Sequence, residues 1–156
     1  MPLKAVLLLV LASASVLLPL LKAEERGVRA QCIGGTISQL SKNSEGRIEL
    51  SDERVMLFRS SHADLGIPYN KVNVVEYGQR VNRRYAAAVL ISPVLLLSKS
   101  RKHFVTVGYT DERGVQQALV FQVHKADVRS LLAGLEARTG RRVEYQDDEA
   151  RKSGKG

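Results

Sequence analysis

In the second half of the chain, the spacing of hydrophobic residues changes within a few positions from that of β-strands to that of an α-helix. This change constrains the fold most. Residues 104–109 and 118–123 are rich in β-branched and aromatic side chains, and a polar turn ending at Gly114 separates them, which predicts a β-hairpin. Directly afterwards, apolar residues recur at helical spacing, at Val128, Leu131, Leu132 and Leu135. Gly140 stands where a C-terminal helix cap belongs. The pattern predicts an amphipathic helix packed against a β-rich body.

Further strand signals precede this hairpin and complete a single predicted domain over residues 46–145. Residues 47–50 and 54–58 flank a polar turn and predict a first hairpin. Residues 67–77 continue in extended structure, and a short strand is expected at 142–145. We therefore expect a mainly β fold with a C-terminal α-helix. The polar residues 24–45 are interpreted as a linker, and the charged residues 146–156 as a disordered tail.

The succession of these segments resembles a bacterial pleckstrin-homology-like domain of the GRAM-like kind. The resemblance is carried by GRIELSDERVMLF, GIPYNKVNVVEYGQ, KHFVTVGYTDERGVQQALVFQV and ADVRSLLAGLEARTGRRVEY. It implies a small β-barrel or sandwich capped by one amphipathic helix, and a binding function whose ligand varies between members. The first hairpin turn, residues 51–54, is mostly acidic, where phosphoinositide-binding members carry basic residues.

The N-terminal residues 1–23 have the layout of a secretory signal peptide. Lys4 precedes an apolar stretch at 5–21. Ala23 then provides the small residue that a cleavage site requires, just before the charged residues. Pro19 ends any helix shortly before this cleavage site. The segment predicts an exported protein, periplasmic or secreted, that is cleaved after Ala23. An uncleaved membrane anchor is the alternative, since the 17 positions of 5–21 reach the lower limit for a membrane span.

Charge and composition limit the partners. The chain has 24 Lys and Arg against 16 Asp and Glu, and without Lys4 and Lys22 the net charge of +8 falls to +6. This surplus favours an anionic lipid or an envelope protein as partner, or serves solubility alone. The predicted export and the absence of Trp argue against nucleic acid as a partner. Cys32 is the only cysteine, so it cannot form a disulfide within the chain. It is interpreted as an unreactive thiol, and a disulfide between two chains is the alternative.

A second apolar segment, residues 86–98, has basic residues on both sides. Its 13 positions extend about 20 Å as a helix and cannot span a bilayer. Two interpretations remain, namely contact with a membrane surface and burial in the domain core. The candidates for anion or lipid contact are Arg80, Arg83, Arg84, Lys99, Arg101 and Lys102. The candidates for membrane insertion are Val89, Leu90, Ile91, Leu95, Leu96 and Leu97.

Motifs for catalysis or metal binding are not found in the sequence. His62, His103 and His124 are isolated from one another, so no metal site or cofactor is expected. No nucleophile elbow or phosphate-binding glycine loop occurs. We expect a non-enzymatic, exported binding or scaffold domain at a membrane surface. The alternative is a protein-interaction module that binds an extended peptide at a sheet edge, with residues 86–98 in the core. The sequence does not indicate the oligomeric state.

Overall fold

The computed structural model describes residues 26–37, 40, 43–80 and 102–155. Within them, eight strands form one mixed sheet, and two helices lie toward the C-terminal end of the chain, one on each side of the last strand in sequence. The strands are β1 (Val28–Gly35), β2 (Ser44–Glu49), β3 (Val55–Ser60), β4 (Asp64–Pro68), β5 (Val72–Gly78), β6 (His103–Thr110), β7 (Gln116–Val123) and β8 (Glu144–Tyr145). The helices are α1 (Val128–Thr139) and α2 (Asp148–Lys155), and 3-10 turns lie at Tyr69–Lys71 and Lys125–Asp127. The prediction of a mainly β fold with a C-terminal helix is confirmed.

The strand order in the sheet is β4-β3-β2-β1-β7-β6-β5-β8. All neighbouring strands are antiparallel except β5 and β8, which are parallel. Both predicted hairpins are present, as β2–β3 and β6–β7. Strand β1 pairs with β2 on one side and β7 on the other, so it joins the two halves of the sheet.

The sheet curls around one hydrophobic core. Phe58 on β3 and Phe121 on β7 are three positions apart in the strand order, which would separate them by about 14 Å in a flat sheet. Their ring centroids are only 5.1 Å apart. The two halves of the sheet therefore face each other, and side chains from both meet in the same core.

The sheet does not close into the predicted barrel. Within the described residues, β4 forms one edge and β8 the other. The 3-10 turn Tyr69–Lys71 connects β4 to β5, and the outer edge of β5 pairs with β8 at Glu76 and Tyr77 instead of with β4. Because the edge of β5 is taken by β8, the two ends of the sheet remain apart.

Helix α1 packs its apolar face into this core, as the helical spacing predicts. Its buried residues are Val128, Leu131, Leu132 and Leu135. Gly140 adopts the left-handed conformation with φ 67°, and its N–H donates to the carbonyl of Glu136. Glycine adopts this conformation without strain, so the predicted C-terminal cap is confirmed.

The linker predicted at residues 24–45 is wrong, because β1 lies within it. Ala30 and Cys32 are buried in the core, whereas Arg29 is exposed and Gln31 partly so. This is the period-two alternation of a strand with one face on a core. The inward residues Ala30 and Cys32 are small, so the alternation of apolar and polar residues is weak in the sequence.

The disordered tail predicted at residues 146–156 is also wrong, since α2 occupies most of it. The carboxylate of Asp147 accepts a hydrogen bond from the N–H of Ala150 and caps the helix. Acidic residues fill the first turn and lysines the last, which suits the helix dipole. Ala150 is buried and Gly154 packs against Tyr77 and Tyr145, so a second helix joins the one that the sequence predicted.

Candidate functional site

A cleft of about 620 Å³ opens at one end of the sheet, where four central strands begin or end. Strands β1, β2 and β6 contribute residues from their N-terminal ends, and β7 contributes its C-terminal end. The lining residues are Arg29, Ala30, Gln31, Glu45, Gly46, Lys102, His103, Gln122, Val123, His124 and Lys125. They come from four separate parts of the chain, so strand pairing creates the site.

The register of the sheet explains why these residues meet. Val123 on β7 is opposite His103 on β6 and opposite Ala30 on β1. Ala30 is in turn opposite Gly46 on β2. Residues next to these pairs, including Arg29 and Lys102, are therefore brought to the same rim of the sheet.

The charge of the cleft is positive. Arg29, Lys102 and Lys125 line it, and Glu45 is the one carboxylate among the described lining residues. Arg29 and Lys125 are exposed and Lys102 is partly exposed, so all three can reach an anion without being desolvated first. A concave surface with this excess of cations raises the local concentration of anions.

His103 forms the inner side of the cleft and is held by Tyr77. The Tyr77 hydroxyl and His103 Nδ1 are 2.6 Å apart, and the two rings stack with centroids 6.1 Å apart. Partial burial lowers the pKa of His103 below its usual value, and the nearby charges of Lys125 and His124 lower it further. A bound anion would oppose this charge repulsion and favour the protonated ring.

His124 is placed by its own backbone. Its Nδ1 accepts a hydrogen bond from the N–H of Ala126 at 3.3 Å and caps the 3-10 turn Lys125–Asp127. Nδ1 is therefore unprotonated in the neutral ring, and Nε2 carries the hydrogen. The turn leads directly into α1, so no loop separates the cleft from the main helix.

The structure places two of the six predicted anion contacts. Lys102 lines the cleft, and Arg80 is exposed just beyond the end of β5. The other four, Arg83, Arg84, Lys99 and Arg101, lie outside the described residues. The predicted insertion residues also lie outside them, namely Val89, Leu90, Ile91, Leu95, Leu96 and Leu97.

Sequence reasoning missed four cleft residues, Arg29, His103, His124 and Lys125. The predicted hairpin held a usable signal for three of them. Antiparallel pairing about the turn at residues 111–115 puts His103 beside the residues that follow β7. Arg29 could not be found in this way, because the pairing of β1 with β7 is not visible in the local pattern.

A second cavity of about 570 Å³ lies between the β2–β3 turn and the end of α1. Its charged lining residues are Arg54 and Arg138 against Glu53, and Asp52 is close enough to Arg138 to interact with it electrostatically. The Tyr69 hydroxyl beside it is buried without a hydrogen-bond partner among the described residues. Burial raises the pKa of Tyr69. With near-balanced charge, this cavity is a weaker candidate for anion binding than the cleft.

No cluster of three or more His, Cys, Asp or Glu side chains in the described part of the chain is arranged to hold a metal ion. No helix among the described residues is long and apolar enough to cross a membrane.

A scan against protein-family models matches no family, and a search of curated proteins finds no match to the chain.

Proposed function

We propose that this chain is an exported, non-enzymatic binding domain that acts at a membrane surface. The observation that carries the proposal is the cleft, in which Arg29, Lys102 and Lys125 converge against one carboxylate. In the sequence, Lys102 and His103 follow shortly after the apolar segment 86–98. An apolar segment with basic residues next to it is typical of a surface that contacts anionic lipid, which supports the proposal.

We include the resemblance to pleckstrin-homology-like domains in the proposal, and the order of the strands and the position of α1 support it. Strands β1 to β4 follow one another in the sheet, as do β5 to β7, and β1 joins β7. The two halves curl around a core into which α1 packs. Strand β8 and helix α2 are additions to the single capping helix that the resemblance implies.

Binding at the cleft is electrostatic. Each basic side chain near an anionic membrane contributes about 1 kcal/mol, so three cations supply a weak, salt-sensitive affinity. The ammonium groups and the guanidinium donate hydrogen bonds to phosphate oxygens.

Liposome co-sedimentation of the full chain tests the proposal. We expect binding to vesicles that contain anionic lipid, weaker binding to neutral vesicles, and release by salt. Lys125→Glu should weaken binding to anionic vesicles about thirtyfold, because it removes one cation and adds one anion, a change of about 2 kcal/mol. Arg113→Glu is the matched control, since Arg113 is 84% exposed in the turn at the opposite end of the β6–β7 hairpin.

Both variants keep the N-terminal apolar segment, so it affects them equally. Equal loss of binding in Lys125→Glu and Arg113→Glu would show that only net charge matters and would contradict a role for the cleft. Binding that is insensitive to anionic lipid and to salt would contradict the proposal as a whole.

The second candidate function is a protein-interaction module, and the open edge at β4 favours it. In the described part of the chain, β4 has β3 on one side and no strand on the other. An extended peptide could add to this edge through main-chain hydrogen bonds. The strand is five residues long and ends in Pro68, which limits the length of peptide that could pair. Binding of an envelope protein that survives Lys125→Glu would favour this function.

A further inference from the structure

The second cavity, between the β2–β3 turn and the end of α1, contains a buried polar atom that the fold leaves unused, and we call it the turn cavity. Tyr69 lines this cavity and is 4% exposed. Its hydroxyl is buried and has no hydrogen-bond partner within the described part of the chain. A buried hydroxyl without a partner destabilises the folded state, and a ligand that supplies an acceptor removes this cost.

Three described elements form the walls of the turn cavity and hold one another in place. The Asp52 carboxylate accepts a hydrogen bond from the N–H of Arg54 at 2.7 Å and fixes the β2–β3 turn. The Tyr69 N–H donates to the carbonyl of Arg54 at 2.9 Å, which joins the 3-10 turn to it. Just beyond α1, the Arg141 guanidinium donates to the carbonyl of Val72 at 3.3 Å. Backbone contacts therefore set the outline of the cavity.

Two arginine side chains of the turn cavity are available to a ligand. Arg54 and Arg138 are exposed, and neither forms a salt bridge among the residues that the structure describes. Arg138 is close enough to the Tyr69 hydroxyl to interact with it electrostatically. The Thr139 hydroxyl, by contrast, already donates to the carbonyl of Leu135 at 2.6 Å. A ligand that lies between Arg138 and Tyr69 can accept hydrogen bonds from both.

The charge of the turn cavity favours a ligand with a single negative charge. Among its lining residues, Arg54 and Arg138 face one carboxylate, that of Glu53, and the nearby Asp52 weakens their positive potential further. A phosphate monoester carries about 1.5 to 2 negative charges at pH 7, which is more than this cavity balances. A carboxylate carries one, and its two oxygens match the parallel N–H groups of a guanidinium.

We propose that the turn cavity binds a small organic monocarboxylate. The carboxylate contacts Arg138 and the Tyr69 hydroxyl, and the apolar part of the ligand lies against Val55 and Pro68, which line the same cavity. Because the hydroxyl is closed to solvent, a side chain at the rim has to move to admit the ligand, and the exposed Arg138 is able to do so. The basic cleft lies at the other end of β2 and shares no lining residue with this cavity, so the proposal is independent of anion binding there.

Titration of the full chain in the absence of membranes, followed by NMR of its backbone amides, tests the proposal. The probe is isocaproate, a branched aliphatic carboxylate, and the matched probes are its neutral amide and inorganic phosphate. We expect saturable shifts with isocaproate at residues 53–55, 69–70 and 138–139, and at least about tenfold weaker binding of the amide. Shifts confined to the basic cleft, equal binding of the amide, or tighter binding of phosphate at these positions would overturn the proposal.

Tyr69→Phe distinguishes a ligand contact from a structural role of the hydroxyl. It should weaken isocaproate binding about tenfold, since one hydrogen bond to a charged group is lost. The melting temperature should stay the same or rise, because the hydroxyl has no partner in the described part of the fold. Tyr145→Phe is the matched control, since Tyr145 pairs with Tyr77 near the opposite end of β5. Unchanged binding in Tyr69→Phe, or a lower melting temperature, would contradict the assignment.

A second pair of variants tests the guanidinium. Arg138→Gln should also weaken isocaproate binding about tenfold or more. Arg129→Gln removes the same charge from an exposed position nearer the start of α1, and binding should not change. If both variants lose the same affinity, long-range charge rather than contact in the turn cavity attracts the probe, and the proposal is wrong.

Discussion

At the scale of single residues, the close approach of strands β2 and β3 depends on Gly46. A Cβ atom at this position would meet the backbone carbonyl oxygen of Arg59, and the Phe58 ring atom Cζ would be 2.8 Å away. The carbonyl belongs to the strand backbone and the ring to the core, so neither can move without disturbing the sheet.

We therefore expect Gly46→Ala to lower the free energy of unfolding by about 1–3 kcal/mol, the usual cost of overpacking. Urea denaturation measures this. Glu45→Ala is the control, since Glu45 is the preceding residue and its side chain is exposed. A Gly46→Ala variant as stable as the control would show that the strands can separate at little cost.

Cys32 illustrates how burial settles an alternative that the sequence leaves open. It is 2% exposed, and its Sγ donates a weak hydrogen bond to the carbonyl of Gly34. Burial raises the pKa of the Cys32 thiol to about 11, and the contact with Gly34 partly offsets this rise. Since the thiolate is the reactive form, the folded protein holds Cys32 unreactive, and pairing between chains would require unfolding around β1.

At the scale of elements, α2 is held by a few specific contacts at the open end of the sheet. A Cβ atom added at Gly154 would lie 2.7 Å from Tyr145 Cε1 and 3.2 Å from Tyr77 Cδ1, so the helix packs closely against both rings. The Gln79 amide donates a hydrogen bond of 2.8 Å to the Ser153 hydroxyl. With only eight residues, α2 has little stability of its own and depends on these tertiary contacts.

A Gly154→Val substitution should therefore detach α2 and leave the rest of the sheet intact. In hydrogen–deuterium exchange, we expect amides of α2 to exchange about tenfold faster or more, whereas those of β6 and β7 stay unchanged. Lys152→Ala is the control, because Lys152 is exposed on the same helix. Unchanged exchange in Gly154→Val would mean that α2 accommodates the larger side chain without moving.

These elements show what local pattern can and cannot predict. The β2–β3 and β6–β7 hairpins and helix α1 were predicted because their periodicity and turn residues lie within short windows. Strand β1 was missed because its inward residues are small and its partners lie elsewhere in the chain. Helix α2 was missed because its short, charged sequence shows no apolar periodicity, although residues 149–152 are good helix formers.

The candidate site was predictable to a smaller extent. Lys102 was found as a flanking cation of the apolar segment, but its partners in the cleft come from β1 and from the residues after β7. Their meeting depends on long-range register, which a single sequence does not reveal. A basic composition predicted an anionic partner without locating the surface that would bind it.

At the scale of the whole molecule, His103 links the cleft to global stability. Its pKa is lowered in the folded state by burial and by the charges of Lys125 and His124. Below the usual histidine pKa of 6.5, the unfolded chain therefore binds this proton more readily than the folded protein does. The contribution of His103 to stability is present above that pH and is lost as the pH falls.

We expect the melting temperature to decrease between about pH 7.5 and 5.5, and to decrease less in His103→Gln. His62→Gln serves as the control, because His62 is exposed in the β3–β4 turn. Sulfate at constant ionic strength should reduce the loss in the unchanged protein, because an anion in the cleft favours the protonated ring. If both variants follow the unchanged protein, the cleft does not govern this pH dependence.

The position of β1 in the sheet sets an order of assembly for the molecule. Ala30 pairs with Val123, so the strand that is synthesised first completes its pairing only when the last long strand is available. Contacts this distant in sequence slow folding, because a large loop must close before they form. In a chain exported as we propose, β1 would cross the membrane early and pair with β2, while its other edge would stay open until β7 follows. The two halves of the sheet would therefore join only after translocation is nearly complete.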